Sequence, residues 1–396
     1  MGCRFGKKIV ALAVSAALLF GALCLSAAAD TILLGDLDTD GIVTVADARL
    51  ALRMSVGLMN ASDDYVLVGD ADGDGTVTPG DARLILRAAI GLEDFEGHTV
   101  EAVLDPYADC KPLPTEIPPA PEINAPSGTF TFTTYGWGHC VGLSQYGAII
   151  MSDAGYPYDF ILTYYFSGAE IVKDPDYPQT TYYGSEGRVD TYELLCRIVT
   201  MEIGGAAISA AALKAQAVAV FTLMEYFKFS VTYRSNIGEA VSSFSKCPER
   251  VRVAVRDVIG EYLALLGDAD KKPVLTVYGS MVAGRTLSAK EVWGYSEFPV
   301  SVSSPFEASL PNFAKTKTYT SAEIRKKIRN ALPSAVLSDD PAEWIVITKH
   351  DSSLDENRGY VFEVTVGGQT LTGINALTNK LGLSLRSPCY TVTYTP

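Results

Sequence analysis

Positive charge is scarce in this chain: 32 lysines and arginines stand against 46 aspartates and glutamates, a net charge of −14. Nucleic acid is held by clustered cations that neutralise phosphates, so it is not an expected partner. The seven cysteines show no CxxC spacing and so offer neither a zinc framework nor a disulfide scaffold. Beyond residue 29 only Cys110, Cys140, Cys196, Cys247 and Cys389 remain, an odd number that leaves at least one thiol free. Long apolar runs are missing too, with one exception, Ile9 to Leu25. No other stretch is long enough to cross a bilayer, so no integral membrane domain is expected in the mature chain. The exceptional run follows Arg4, Lys7 and Lys8 and precedes Ala27-Ala28-Ala29, the pattern of a secretory signal cleaved before Asp30. An uncleaved anchor is the lesser alternative, and Cys24 after Leu23 fits a lipoprotein cleavage box poorly. The expected location is extracellular.

With 396 residues and 48% hydrophobic content, two or three folded units are expected. The clearest signal is a repeat. "GDLDTDGIVTVADARLALRMSVGL" from Gly35 returns as "GDADGDGTVTPGDARLILRAAIGL" from Gly69. As twelve-residue loops, the copies place oxygen donors at Asp36, Asp38, Asp40, Thr44 and Asp47, and at Asp70, Asp72, Asp74, Thr78 and Asp81. Ile42 and Thr76 would add backbone carbonyls, and Gly41 and Gly75 occupy the sharp sixth position. A hard cation with six to eight oxygen ligands needs this arrangement, so two calcium ions are expected. The competing reading, an acidic turn, is natural for one copy and loses force when both copies lead into matching amphipathic helices. A loop–helix pair in duplicate behind a signal peptide resembles a type I dockerin over residues 30–95. That resemblance implies a small all-α calcium module whose partner is the cohesin module of a scaffold protein. The contact positions it implies are Val45-Ala46 and Pro79-Gly80, where the copies differ from each other and from the usual pairs.

Periodicity then stops. "CKPLPTEIPPAPEINAPSG", residues 110–128, is proline-rich, so 96–127 reads as a semi-rigid linker. From residue 128 the pattern is α+β. A strand is expected at "TFTFTTYGWG", helices at Ala148–Ala154 and Tyr158–Phe166, and a strand at Glu170–Val172. Two helices follow within 191–229, the second capped by Ser209, then strands at Val274–Tyr278, Trp344–Lys349 and Tyr360–Val366. Between the first strand and the first helix lies "GWGHCVGLSQYG", residues 136–147, whose four glycines mark backbone that approaches something closely.

Four segments carry a second resemblance: "GWGHCVGLSQYGA…GYPYDFILTYYFSGAEI", "LLCRIVTMEI…ALKAQAVAV", "VYGSMVAGRTLSAKEVWGYSEFPVSVSSPFE" and "GGQTLTGINALTNKLGLSLRSPCYTV". Together they resemble the SpoIID/LytB family of sporulation stage II protein D and amidase enhancers. The order is rotated, because the segment that closes that domain opens this one. Such a permutation is tolerable when domain ends lie together, so the glycine segment should still pack beside the last strand.

The resemblance implies a lytic transglycosylase acting on peptidoglycan glycan strands at the cell wall, with Glu202 as its catalytic glutamate. Leu195, Ile198 and Glu202 share one helical face, which would bury the carboxyl and raise its pKa; the alternative is an ordinary helix-end glutamate. Gln145 and Tyr146 offer amide and stacking contacts to sugar, or a turn beside the core. His139 reads equally as a substrate ligand and as a buried structural histidine bonded to a loop carbonyl. The glycines are expected to line a glycan cleft.

Departures from the family pattern count as well. Gly279 and Val282 stand where some relatives carry zinc ligands, so no zinc is expected. Cys140 replaces a glycine and is expected to crowd the cleft, Phe221 replaces a frequent arginine, and Ala211 replaces a glutamate. A non-catalytic wall-binding or amidase-enhancing protein, or a scaffold component working through its dockerin, are the alternatives.

Overall fold

The computed structural model describes residues 30–396 apart from 40, 58, 60, 61, 96, 103–109, 208 and 295. Asp40 and the leader at 1–29 lie outside the described residues. The chain divides into two compact units, Met1–Asp109 and Cys110–Pro396.

In the first unit β1 (Asp30–Leu33) leads into the first acidic loop, and Thr44 then caps α1 (Val45–Ser55). Ser62 caps α2 (Asp63–Gly69), and Thr78 caps α3 (Pro79–Ala89), which has proline at its first turn. Thr44 with Asp47, and Thr78 with Asp81, form reciprocal capping boxes. The last carboxylate of each loop therefore also starts a helix. The expectation of an all-α module needs correction, because β1 pairs antiparallel with β2 (Thr99–Ala102). Two short helices alone leave their shared face open; Ile32 and Ala102 on the ladder join Leu37, Ala51, Val68 and Ile85 in one core. That ladder carries the unit past residue 95.

In the second unit β3 (Thr129–Tyr135) runs through the glycine segment into β4 (Leu143–Ser144), α4 (Gln145–Ala154), α5 (Tyr158–Tyr165) and β5 (Ala169–Lys173). The hairpin of β6 (Thr180–Tyr183) and β7 (Arg188–Asp190) precedes α6 (Thr191–Glu202) and α7 (Ala210–Tyr226). Next come β8 (Ser230–Val231), α8 (Glu249–Val258), β9 (Glu261–Leu265) and β10 (Tyr278–Gly279). Then β11 (Gly284–Arg285), α9 (Ala289–Trp293) and β12 (Ser303–Ser304) lead to β13 (Ala314–Thr320) and α10 (Ser321–Ala331). The chain closes with β14 (Ile345–His350), β15 (Val361–Val366), β16 (Gln369–Thr372), α11 (Ala376–Leu381) and β17 (Tyr390–Thr395).

Helix α7 is buried on nearly every side and forms the centre of the helical core, which is where a helix so rich in apolar residues belongs. Its cap is borrowed: Ser209 makes no side-chain cap bond, and the Ala212 N–H donates instead to Ser152 Oγ of α4 at 3.0 Å. The alternation of β3 promises one buried face, yet all seven of its residues are buried. The strand is central, paired with β13 on one side and β17 on the other. The phenylalanines enter the core with Trp344 and Val364, while Thr133 borders a groove with Pro119, Pro121 and Ile123. The proline-rich segment is therefore docked on this unit, where Arg358 Nη2 donates to the Pro118 carbonyl at 2.9 Å. The expected strand at Val274–Tyr278 is cut to its end, β10, which pairs with β4 through Leu143 N–H and the Val277 carbonyl; upstream, Val274 N–H turns to the Leu263 carbonyl of β9 and Thr276 Oγ1 to the Ala219 carbonyl.

The first strand of the unit lies beside its last, Thr129 opposite Thr395, so the glycine segment does start next to the C-terminal strand. Two of its glycines answer what is approached, and it is protein. A Cβ on Gly142 would sit 2.0 Å from the Val277 carbonyl, and one on Gly147 1.9 Å from the Tyr165 hydroxyl. Tyr165 is fully buried and bonded to Ser304 Oγ, so it has no room to retreat. Gly147→Ala should destabilise the second unit by about 3 kcal/mol through overpacking. An unchanged denaturant midpoint for that unit would show that Tyr165 moves freely.

Candidate active site

Asp190 caps α6, whose Leu195 and Ile198 are fully buried and whose last residue, Glu202, is half-buried on the same face. Gln145, at the start of α4, donates through Nε2 to Glu202 Oε2 at 3.3 Å and to Gln216 Oε1 of α7 at 3.3 Å. Glu202 and Gln145 are thus brought together, with Gln216, fully buried, behind them. The opposite wall is the turn at Gly238, whose backbone passes so close that a Cβ there would meet Glu202 Oε1 at 2.7 Å and the Tyr278 hydroxyl at 2.5 Å. Two phenols hold that turn in place: Tyr278 donates to the Ile237 carbonyl and Tyr183 to the Gly238 carbonyl, each at 2.7 Å.

Burial raises the Glu202 pKa above the ordinary carboxyl value, and the neighbouring Glu239 carboxylate pushes the same way. The Gln145 amide and the Glu239 backbone N–H oppose this by bonding to the ionised form. A carboxyl so placed can hold a proton to higher pH than a surface glutamate and can still accept one back.

His139 is partly buried and bonded to backbone on both sides. Its Nδ1 accepts from Val141 N–H at 3.0 Å, and the Tyr278 carbonyl faces the ring as well. Its ring lies 5.6 Å from that of Trp293, and burial lowers its pKa. Tyr146 is half-buried, with its N–H donating to the Ser280 carbonyl at 3.0 Å. Cys140 does not crowd a cleft. It is buried at φ 62°, with its thiol toward the Gly138 and Met281 carbonyls, and burial raises its pKa to about 12. Phe221 is buried between Tyr177 and Phe229. Gly279 packs against the His139 ring and Val282 lies in the core.

Beneath the glycine segment sits a fully buried carboxyl, Glu307. Ser144 and Ser304 donate to it, Ser304 at 3.1 Å, and burial raises its pKa to about 7. Sequence reading missed Glu307, Gln216, Tyr183, Tyr278 and Glu239. Gln216, Tyr278 and Glu307 lie inside segments that carry the resemblance, but the groups they meet at Gln145, Ile237 and Ser144 come from far along the chain, so local spacing gave them no role.

In the first unit Asp47 Oδ1 accepts from Leu37 and Asp38 N–H at 2.8 and 3.0 Å, and its Oδ2 from Thr44 N–H and Oγ1. Asp81 repeats this with Asp72 N–H and Thr78. Asp70 accepts from Gly75 N–H at 2.7 Å, and Asp74 from Thr76 at 2.9 Å. Carboxylate oxygens of Asp36, Asp38 and Asp47, and of Asp70, Asp72 and Asp74, gather within 4.8 Å of one another. Burial and the surrounding carboxylates raise the Asp72 pKa, whereas bonds from Thr78 and Asp72 N–H outweigh burial and lower that of Asp81. Among the described residues these are the groups of three or more that could hold a metal.

Stage II sporulation protein D of Bacillus subtilis (strain 168) is 51% identical to this chain over 43 residues, 11% of the chain and 12% of that protein. Its counterpart in Bacillus amyloliquefaciens is 48% identical over 44 residues, 11% of the chain and 13% of that protein. Part of this chain is similar to stage II sporulation protein D. The matched stretches span about an eighth of those relatives. No protein-family profile matches the chain, and no solved structure does. Among the described residues no helix is long and apolar enough to cross a membrane.

Proposed function

We propose that the second unit is a peptidoglycan lytic transglycosylase of the SpoIID type in permuted order, with Glu202 as its catalytic acid and base. The observation that carries this reading is the half-buried Glu202 carboxyl, held between the Gln145 amide and the Gly238 turn. Protonated Glu202 gives its proton to the glycosidic oxygen as the bond to the muramic C1 breaks. The carboxylate then takes the proton of the muramic 6-hydroxyl while that oxygen closes on C1. The products are a shortened strand and a 1,6-anhydro end, and Glu202 is again protonated. Gln145 favours the ionised half of the cycle and burial the protonated half. The test is mass spectrometry of denuded glycan strands incubated with the full chain. Release of 1,6-anhydro ends is expected; binding without cleavage would turn the reading to a wall-binding or amidase-enhancing protein.

The first unit is a dockerin in this reading, exported with the rest of the chain behind a cleaved signal and displaying the enzyme outside the cell. Two calcium ions would be held by Asp36, Asp38, Asp40, Thr44 and Asp47 with the Ile42 carbonyl, and by Asp70, Asp72, Asp74, Thr78 and Asp81 with the Thr76 carbonyl. Support for a cohesin partner comes from an apolar groove between α1 and α3, lined by Val45, Leu52, Pro79 and Leu86. Val45 is 60% exposed there and belongs to the contact pair marked by the resemblance. Zinc is not part of the site. Elemental analysis of the purified chain should find less than about one zinc in ten chains, because neither Gly279 nor Val282 has a ligand atom; one zinc per chain would overturn this.

A further inference from the structure

Trp137 is 52% exposed, although every other residue of the glycine segment is buried or partly buried. Its backbone is fixed on both sides by an exchange with Met281, N–H to carbonyl at 2.9 Å and the return bond at 3.1 Å. The guanidinium of Arg386 stands 4.4 Å from the ring centroid, and the Arg386 carbonyl is fixed by Gly138 N–H at 2.9 Å. An aromatic plane and a cation are therefore held together on pinned backbone, which is how a preorganised binding site is built.

The charge on Arg386 is unanswered. Nη1 donates to the Asn312 carbonyl at 3.3 Å and Nε is buried without a partner; among the described residues no carboxylate pairs with it. Among the described residues eleven arginines and lysines pair with carboxylates; Arg386 is not one of them, and its guanidinium lies over an exposed ring instead. The place is also telling. Met281, which holds the Trp137 backbone, is three residues, at most ~10 Å of chain, from Tyr278, whose hydroxyl lies with Glu202 beside the Gly238 turn.

We propose that Trp137 and Arg386 form a saccharide subsite that selects a sugar bearing a free carboxylate, the ring stacking on the pyranose and the guanidinium pairing with the carboxylate. This rests on the glycan reading of the site and adds to it the residues that tell a muramic-acid strand from a neutral N-acetylglucosamine strand. A charge-assisted bond of this kind supplies roughly tenfold discrimination, and it should weaken as salt screens an exposed pair.

The test is calorimetric binding of the calcium-loaded full chain to denuded muramic-acid-containing oligosaccharides and to N-acetylglucosamine oligosaccharides of equal length. Wild-type protein should prefer the carboxylated strand about tenfold. Arg386→Gln should bring the ratio of the two affinities close to one, with its melting curve unchanged. Arg386→Lys, which keeps charge without the planar stack, should keep part of it, and Trp137→Ala should weaken both strands. Equal binding of both strands by wild type, or full discrimination by Arg386→Gln with an unchanged melting curve, would overturn the subsite. Selective binding without anhydro products would leave the subsite standing and sink the catalytic reading; cleavage with undiminished selectivity in Arg386→Gln would do the reverse.

Discussion

Replacing Glu202 by Gln should abolish release of 1,6-anhydro ends while leaving the second unit folded. The amide keeps the side chain's shape and can still take the Gln145 hydrogen bond through its oxygen, but it has no acid proton to give. General acid–base groups contribute at least ~10²-fold, and a carboxyl that serves in both halves of the cycle should cost more than that. Stability should move the other way. The native pKa of Glu202 is raised, so the native state binds its proton more tightly than the unfolded chain does. That advantage is complete below the unfolded carboxyl value and disappears as pH rises through the native one. At neutral pH the Gln variant therefore gives up nothing and should melt at or slightly above the wild-type temperature. The same raised pKa places an alkaline limb on the wild-type rate, because activity needs the protonated form at the start. Full activity in the Gln variant, with its fold confirmed by circular dichroism, would move the chemistry to another group. Glu239 is the first to examine, since its carboxylate is already felt at Glu202.

Chelating calcium should melt the first unit and leave the second folded, so that the full chain shows two thermal transitions of which only one follows calcium. Three carboxylates within 4.8 Å of one another repel without a cation. At a thousandfold excess over its Kd each ion would contribute about 4 kcal/mol. The capping boxes do not replace it: they answer Asp47 and Asp81, and leave Asp36, Asp38, Asp70, Asp72 and Asp74 crowded at the loop starts. Helical signal from α1 and α3 should fall with chelator and return with calcium. Asp36→Ala and Asp70→Ala should each lower the calcium-dependent transition, and the double variant should lose it. A single transition indifferent to chelator would mean that the loops hold by hydrogen bonds alone, and the dockerin reading would fail with it.

What the sequence determined by itself is whatever repeats or alternates over a short distance. The duplicated aspartate loops, the helices behind them, and the helices at 145–154, 158–165, 191–202 and 210–226 were legible because spacing, caps and apolar faces lie within one or two turns of each other. The inward face of α6 was legible for the same reason, and with it the position of Glu202. Tertiary structure decided everything that depends on who stands opposite. β3 is buried on both faces because two strands and a docked proline-rich segment surround it. Two glycines that suggested a sugar cleft instead admit the Val277 carbonyl and the Tyr165 hydroxyl. The small unit needed a β ladder, since residues about seventy positions apart had to cover one core. Around Glu202, the groups that set its proton affinity are Gln145 on α4 and Glu239 beside the turn at Gly238, and no local pattern ties them to α6. A carboxyl's pKa is a property of its neighbours in space, and those are assigned only when the chain closes on itself.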